Sequence, residues 1–283
     1  MQPVVIAVAP TGARRSKVDH PALPLTPSEV AADIAACADA GAGVLHLHVR
    51  DAAGAHTIDP AVYRPAVAAV RATVGNRVVV QVTTEAVGRF SRHEQIASVR
   101  ALQPEAVSIA VRELIPDAGA EPEAADFLGW AAAERVGVQF IVYAREEAAR
   151  LRDLVERGVV PSGSNGKPQA PHALFVLGRY SAGQRAEPRD LAPLLAEWPP
   201  AWPWTVCAFG PLEAQCLGDA IALGGHVRVG FENNLLRADG TLSSGNAEQV
   251  AGIRAIALRE GRAVGGATDA RALYCPAAAP AAS

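Results

Sequence analysis

Short runs rich in β-branched residues alternate eight times with Ala-rich amphipathic stretches along this chain of 283 residues. The predicted strands cover residues 4–9, 43–49, 77–83, 106–110, 137–142, 173–177, 205–209 and 226–230. The predicted helices that follow them cover residues 28–40, 61–74, 92–101, 123–135, 146–157, 191–197, 212–223 and 247–260. Strict alternation indicates parallel strands joined by helical crossovers. Eight such units predict a (β/α)₈ TIM barrel, which needs about 250 residues.

A doubly wound sheet is the alternative architecture for the same alternation. The first predicted strand is followed by Pro10-Thr-Gly-Ala13, which lacks the GxGxxG fingerprint of a dinucleotide-binding turn. We therefore expect a single α/β domain, a barrel over residues 1–275. The Ala- and Pro-rich segment 276–283 is expected to be a disordered tail, and the Pro- and Gly-rich segment 161–171 to be a surface excursion or lid.

Composition argues against several classes of partner. The net charge is -3 with both signs scattered, so no nucleic-acid footprint is visible. No run approaches the ~18 apolar residues of a membrane span, and the first residues lack the basic region of a signal peptide. The four cysteines form no CxxC pair. We expect inert thiols in a cytoplasmic protein that binds neither nucleic acid nor membrane.

Two histidines interrupt the second predicted strand, Val44-Leu-His-Leu-His-Val-Arg-Asp51. Their i, i+2 spacing places His46 and His48 on one face of a strand, roughly 7 Å apart along it. In a closed barrel, strands two and eight both flank strand one, which brings Glu232 close to the two imidazoles. Three protein ligands with open positions are typical of a catalytic metal. The sequence thus predicts a His₂Glu metal site at the C-terminal rim, where barrel active sites lie.

Other polar residues at this rim allow more than one interpretation. Arg228 and Glu232 also fit a structural ion pair, and Asn233 and Asn234 also fit a turn. Thr83 and Thr84 fit either a substrate contact or a helix cap. Glu85 and Asp51 lie at the same rim, Asp51 as a turn residue or a support for the ligands. The histidines at positions 20, 56, 93 and 172 are expected to be solvated, and His226 to lie at the opposite end of the barrel.

Several motifs occur together in a fixed order: Thr11-Gly-Ala13, Leu23-Pro-Leu-Thr-Pro27, the His-x-His strand, Phe175-Val-Leu-Gly178, Gly224-Gly-His-Val-Arg-Val-Gly-Phe-Glu-Asn-Asn234 and Asn246-Ala-Glu-Gln-Val250. In combination they resemble the β-keto acid cleavage enzymes, over about residues 3–274. The resemblance implies a zinc-dependent barrel, commonly a homo-oligomer (dimer or tetramer). It also implies a reaction in which a β-keto acid and acetyl-CoA give acetoacetate and a new acyl-CoA.

The resemblance assigns roles to particular positions. His46, His48 and Glu232 match the zinc ligands, and Arg228 matches an arginine that orients the ionic network. Thr83 matches a position that is usually serine, and Ser108 matches another hydroxyl position, expected to bind substrate. Bound zinc would acidify the carbon between the keto and carboxylate groups. The resulting carbanion would attack the acetyl thioester, and the freed CoA thiolate would cleave the product.

The chain departs from the family pattern at positions that carry charge. Asn233 stands where an aspartate often serves as general base, and Glu85 is our candidate substitute. Arg14, a further candidate for substrate binding, stands where the family example is acidic. Acidic positions on and after strand five are Gln139, Ile141 and Ala144, and the segment 108–114 lacks the family's Asn-x-Gly. These changes predict that the acyl end of the substrate is neutral or anionic and is not an ammonium group.

Three functions remain open from the sequence. The leading one is the acyl transfer just described. The second is another metal-assisted reaction on a carbonyl compound, a lyase or hydrolase that needs no CoA. The third is a non-catalytic metal-binding relative, motivated by Asn233. Manganese, cobalt or iron would fit the same ligands as zinc. For CoA, Arg179 and residues 181–185 are candidates to line a diphosphate, although their composition favours a solvated loop.

Overall fold

The computed structural model describes residues 2–161 and 170–275. The predicted tail, 276–283, and most of the predicted excursion at 161–171 lie outside the described residues. Ten strands and ten α-helices are found in the part that is described. The strands are β1 Ile6–Val8, β2 Val44–Leu47, β3 Val49–Arg50, β4 His56–Thr57, β5 Val79–Thr83, β6 Ala106–Ala110, β7 Gly137–Val142, β8 His172–Leu177, β9 Trp204–Ala208 and β10 His226–Val229.

Most of the helices follow the strands around the outside of the sheet, whereas the last one packs against the bottom of the barrel. The helices are α1 Pro27–Ala40, α2 Pro60–Val74, α3 Arg92–Leu102, α4 Val111–Leu114, α5 Glu121–Ala133, α6 Arg145–Glu156, α7 Ala192–Leu195, α8 Glu213–Ala222, α9 Asn246–Arg259 and α10 Ala267–Tyr274. The helix starts follow local chemistry. The capping box predicted at the start of α1 forms, since Thr26 Oγ1 accepts from Glu29 N and Glu29 Oε2 accepts from Thr26 N at 3.0 Å.

Eight parallel strands close into a barrel in the order β1-β10-β9-β8-β7-β6-β5-β2. The closing strand is β1, which pairs with β10 through Ala7 and Arg228 and with β2 through Ala7 and Val44. Closure excludes the doubly wound sheet and confirms the single-domain TIM barrel. It also places the ends of β2 and β10 on either side of β1, as the metal-site prediction requires.

The barrel interior contains two separate apolar layers. The lower layer is apolar, with Val5, Ala7, Val44, Val79 and Ala106 packed against Ala270 and Tyr274 of α10. The upper layer is a second apolar cluster on β6–β9, which includes Ile141, Leu174 and Val176. The larger outer core lies between strands and surrounding helices. Among the described residues, no helix has both the length and the apolar character needed to cross a membrane.

Candidate metal centre and active site

Three potential metal ligands converge at the C-terminal rim of the barrel. His46 Nε2 and His48 Nε2 lie 3.1 Å apart, and Glu232 Oε2 lies 3.6 Å and 3.2 Å from them. Both imidazoles are buried, and the Glu232 side chain is 14% exposed. These are the three residues that the sequence predicted as metal ligands, from the His-x-His motif and from the neighbouring strand ends of a closed barrel. Within the described ranges, they form the one cluster of three such ligand atoms.

His46 and Glu232 have the protonation states that a metal requires. His46 Nδ1 lies 2.8 Å from Gln81 Oε1, and because an amide oxygen only accepts, Nδ1 carries the proton and Nε2 offers a lone pair. Burial, reinforced by Arg228, lowers the pKa of His46 to about 3. Burial alone would raise the pKa of Glu232, but the positive charge of Arg228 holds it well below its usual range. A neutral imidazole and a carboxylate suit a divalent cation, so the residues present fit a metal.

The absence of a side chain at Gly12 leaves room for the Glu232 side chain beside the two histidines. A Cβ at Gly12 would lie 2.6 Å from Glu232 Cγ, and its φ of +67° is in the left-handed region that favours glycine. Glu232 N in turn donates to Ala9 O at 3.0 Å. The Thr-Gly-Ala motif after β1 therefore shapes the backbone against which the carboxylate packs.

Arg228 connects the triad to a buried polar cluster behind it. Its Nη2 donates to Glu232 Oε1 and Asn233 Oδ1, each at 3.1 Å, and lies 3.3 Å from Cys207 Sγ. The ion pair with Glu232 that the sequence allowed is thus present. Asn233 Nδ2 donates to Arg228 O at 3.2 Å and lies 3.5 Å from Glu213 Oε1. The Asn233 amide holds Arg228 in place and is not part of the cavity lining.

A buried chain of hydrogen bonds supports the first imidazole from below. Gln81 Nε2 donates to Gln139 Oε1 at 3.0 Å, and Gln139 Nε2 donates to Tyr274 Oη at 3.2 Å. His172 Nε2 lies 3.1 Å from Gln139 Nε2 and 2.8 Å from Thr205 Oγ1. Each of the two glutamine amides accepts a hydrogen bond on the side of His46 and donates one toward α10. This series of hydrogen bonds therefore fixes the proton of His46 on Nδ1 and connects the His46 ring to α10.

The cavity over the triad combines polar and apolar side chains. Besides the three triad residues, its lining consists of Thr83, Glu85, Ile141, Tyr143, Leu174, Val176, Arg179, Phe209 and Arg228. An adjoining cavity, which we call the mouth, shares Glu85, Arg179 and Glu232 with it and is also lined by Thr11, Gly12, Ala13, Arg14, Arg15 and Gln184.

The other predicted site residues occupy different depths. Thr83 lies in the lining, and its Oγ1 accepts from Glu85 N at 3.0 Å. Glu85 is in the lining too and pairs with Arg179 Nη2 at 3.3 Å. Arg14 is exposed at the mouth. Ser108 is fully buried, and its hydroxyl makes no hydrogen bond to any part of the chain that the structure describes.

Other residues that the sequence placed at the ends of the strands have structural positions. Asp51 is a turn residue, since its Oδ1 accepts from the backbone N–H groups of Ala53 and Ala55. Thr84 Oγ1 donates to Ser108 O, a strand contact and not a helix cap. His226 begins β10 at the opposite end of the barrel, as predicted. Residues 181–185, proposed for a diphosphate, form an exposed loop.

The expectation that four histidines are solvated is wrong for three of them. Positions 20, 56 and 172 are buried, and only His93 is exposed. His20 packs on Phe231 and donates from Nε2 to Ser243 O at 2.8 Å, while His56 packs beside His48 with ring centroids 5.1 Å apart. His172 lies inside the barrel because β8 begins one residue before the prediction. Loop position gave no sign that these rings were covered.

Sequence reasoning also missed functional neighbours of the triad. Gln81 and Glu213 carry no motif, since one lies in a β-rich run and the other at a helix start. Arg15 is half-buried, and its guanidinium donates to Phe231 O and, at 3.4 Å, to Asn233 O. The alternation of side chains along β5, which places Gln81 and Thr83 inside the barrel, was the one available signal.

The fold and the site together define a TIM-barrel protein with a His₂Glu candidate metal centre at the C-terminal ends of its strands. A family model described as beta-keto acid cleavage enzyme matches residues 3–275. The chain therefore belongs to the β-keto acid cleavage enzyme family and is an enzyme of that family.

Individual relatives agree with this assignment. The 3-keto-5-aminohexanoate cleavage enzyme of Fusobacterium nucleatum is 30% identical over 288 residues, covering 96% of this chain and 97% of the relative. The 3-oxoadipate:acetyl-CoA acetyltransferase of Cupriavidus necator is 28% identical, covering 96% and 94%. A solved ternary complex of ObcA with a C4-CoA adduct and oxalate shares the fold, with a TM-score of 0.69 and 18% identity. That likeness covers 90% of this chain and 67% of ObcA.

Proposed function

We propose that this enzyme is a zinc-dependent acyltransferase that cleaves a β-keto acid with acetyl-CoA. The geometry of the triad carries the proposal. The three ligand atoms form a triangle with edges of 3.1, 3.2 and 3.6 Å. Ligands at 2.0–2.1 Å from a tetrahedral zinc lie about 3.3–3.4 Å from each other, so the triangle matches three corners of such a site. The named relatives act on β-keto acids, one of them in exchange with acetyl-CoA.

The reaction exchanges two acyl groups between carbon and sulfur. A proton leaves the carbon between the keto and carboxylate groups, and that carbanion forms a bond to the acetyl carbon and expels CoA thiolate. The thiolate then forms a bond to the original acyl carbon, and the bond between that acyl carbon and the central carbon, which now carries the acetyl group, breaks. The proton returns to the released acetoacetate carbanion. A bound divalent cation would supply stabilisation of the negative charge that develops on the keto oxygen.

The chain's own groups have distinct parts in this chemistry. Glu85 is our candidate for the group that takes and returns the proton, because it lines the cavity whereas the Asn233 amide is turned toward Arg228 and Glu213. Arg228 would keep Glu232 ionised and aimed at the metal. Thr83, which lies in the lining, would donate its hydroxyl proton to the substrate carboxylate, and Arg14 would attract an anionic co-substrate at the mouth.

The remaining predictions stay part of the proposal. Ser108 would contact substrate only after a rearrangement of the strand end, since its hydroxyl is fully buried. Arg179 would contact the diphosphate of CoA from the cavity rim. A homo-oligomer in the cytoplasm is proposed as well. The four cysteines support that location, because within the described residues all are free thiols and three are buried.

Metal content and CoA dependence test the proposal together. We expect about one zinc per chain in the purified protein and turnover of β-keto acids only with acetyl-CoA. His46→Ala and Glu232→Ala should lose both the metal and about 1,000-fold or more of kcat/KM, because the charge stabilisation is worth several kcal/mol. His93→Ala removes an exposed imidazole and serves as the matched control.

Two results would contradict the acyl transfer. Turnover that proceeds without acetyl-CoA would show a lyase or hydrolase on the same barrel. Bound metal without turnover of any β-keto acid would show a non-catalytic relative.

A further inference from the structure

The cavity over the triad has one polar wall and one apolar wall. The polar wall holds the triad together with Thr83, Glu85, Arg179 and Arg228. The apolar wall comes from β7, β8 and the end of β9. It consists of Ile141, Tyr143, Leu174, Val176 and Phe209, all of them buried except the partly buried Tyr143. Ile141 and Leu174 are direct partners in the β7–β8 register, so this wall is a continuous surface of the sheet.

The charges of the polar wall are already paired. Arg228 Nη2 lies 3.1 Å from Glu232 Oε1, and Arg179 Nη2 lies 3.3 Å from Glu85 Oε1. Arg179 also lies over the Phe209 ring, 5.0 Å from its centroid, which holds the guanidinium at the rim. Within the described part of the chain, the lining therefore offers two positive and two negative side chains, each with a partner. Arg14 adds a positive charge at the solvent-exposed mouth, away from the apolar wall.

A substrate that places its carboxylate and keto group at the triad must direct its acyl group across the cavity. On the opposite side it meets Ile141, Leu174 and Val176. A second carboxylate or an ammonium group there would lose its hydration and gain no partner, which is strongly unfavourable. An alkyl group would gain from burial with each added methylene.

We propose that the β-keto acid carries an uncharged, apolar acyl group, and that Ile141, Leu174 and Val176 determine this selectivity. The inference rests on the proposed acyl transfer. It narrows the expectation of a neutral or anionic substrate to a neutral one of alkyl or aryl character.

Three six-carbon β-keto acids that differ in charge test the proposal with the native enzyme. They are 3-oxohexanoate, 3-oxoadipate and 3-keto-5-aminohexanoate, each assayed with saturating acetyl-CoA. We expect kcat/KM for 3-oxohexanoate to exceed that for either charged acid by at least about 100-fold. It should also exceed that for 3-oxopentanoate by about fourfold, the equivalent of one buried methylene.

A near-isosteric variant locates the selectivity in the wall. Val176→Thr should lower kcat/KM for 3-oxohexanoate about fivefold to tenfold, because a buried hydroxyl replaces a methyl group, and should leave the KM for acetyl-CoA unchanged. Val18→Thr, at a residue that is 96% exposed, is the control.

The outcomes separate this inference from the proposed function. A preference for 3-oxoadipate or 3-keto-5-aminohexanoate would overturn the apolar acyl group and leave acyl transfer intact. If Val176→Thr changes only the KM for acetyl-CoA, the apolar wall receives the thioester arm of acetyl-CoA. That result would also overturn the proposal that the wall binds the acyl group of the substrate. No turnover of any of these acids with acetyl-CoA would overturn the proposed function and this inference with it.

Discussion

Glu213 is a buried carboxyl group directly behind the residues that hold the triad. It accepts from Asn234 Nδ2 at 3.2 Å and lies 3.5 Å from Asn233 Nδ2, two neutral donors. Burial, which these hydrogen bonds offset only in part, raises the pKa of Glu213 to about 8. A carboxyl group that stays protonated near neutral pH carries no charge while its oxygens still accept from these two amides. The cluster around Arg228 thereby avoids a second buried negative charge beside Glu232.

The raised pKa of Glu213 predicts a loss of stability as pH rises. Between its unfolded pKa near 4.5 and about 8, the unfolded chain releases the proton while the folded chain retains it, so the free energy of unfolding falls. Glu213→Gln removes this dependence. From pH 4.5 to pH 8, the variant should gain on the order of 3 kcal/mol relative to native protein, measured by urea unfolding at each pH. Glu146→Gln, on the exposed face of α6, controls for charge. Parallel pH profiles for Glu213→Gln and native protein would contradict the assignment.

At the scale of elements, hydrophobic periodicity predicted the barrel well. All eight barrel strands and their eight helices lie within two residues of the predicted bounds. The ligand set was also predictable, because a closed barrel fixes which strand ends are neighbours. The β3–β4 hairpin, α4 and α10 were missed, because elements of two to eight residues carry little periodicity. The supports Gln81 and Gln139 were missed because their partners are distant in sequence, and the pairing of Arg179 with Glu85 could not be read from either segment alone.

Helix α10 closes the bottom of the barrel through a contact that only glycine permits. A Cβ at Gly137, the first residue of β7, would lie 1.7 Å from Tyr274 O. Gly137→Ala must therefore displace the end of α10 and loosen the Tyr274–Gln139 hydrogen bond. We expect a loss of about 1–3 kcal/mol in urea unfolding. Gly129→Ala, within α5 and with nothing near its Cβ position, should instead gain about 1 kcal/mol. Equal effects of the two substitutions would show that α10 is not packed against β7.

For the whole molecule, the candidate metal site joins two segments that close the barrel. His46 and His48 belong to the β2 end and Glu232 to the β10 end, and both strands pair with β1. The unfolded chain separates these ligands by about 180 residues, so a metal bound at all three stabilises the closed barrel selectively. The change in Tm on addition or removal of the metal therefore reports both on binding at the triad and on closure of the barrel.

Chelation of the metal should lower the stability of the native enzyme. With free zinc at 1,000 times its Kd, binding contributes about 4 kcal/mol, or roughly 7 °C in Tm for a chain of this length. Glu232→Gln should lose most of this metal-dependent difference. Its absolute Tm will fall as well, because Arg228 loses its carboxylate partner, so the comparison is between metal-loaded and chelator-treated samples of each variant. Glu85→Gln changes a carboxylate in the same cavity that is not part of the triad and should retain the full difference. If Glu232→Gln responds to zinc as the native enzyme does, the stabilising metal is bound elsewhere, and the triad is not the metal centre.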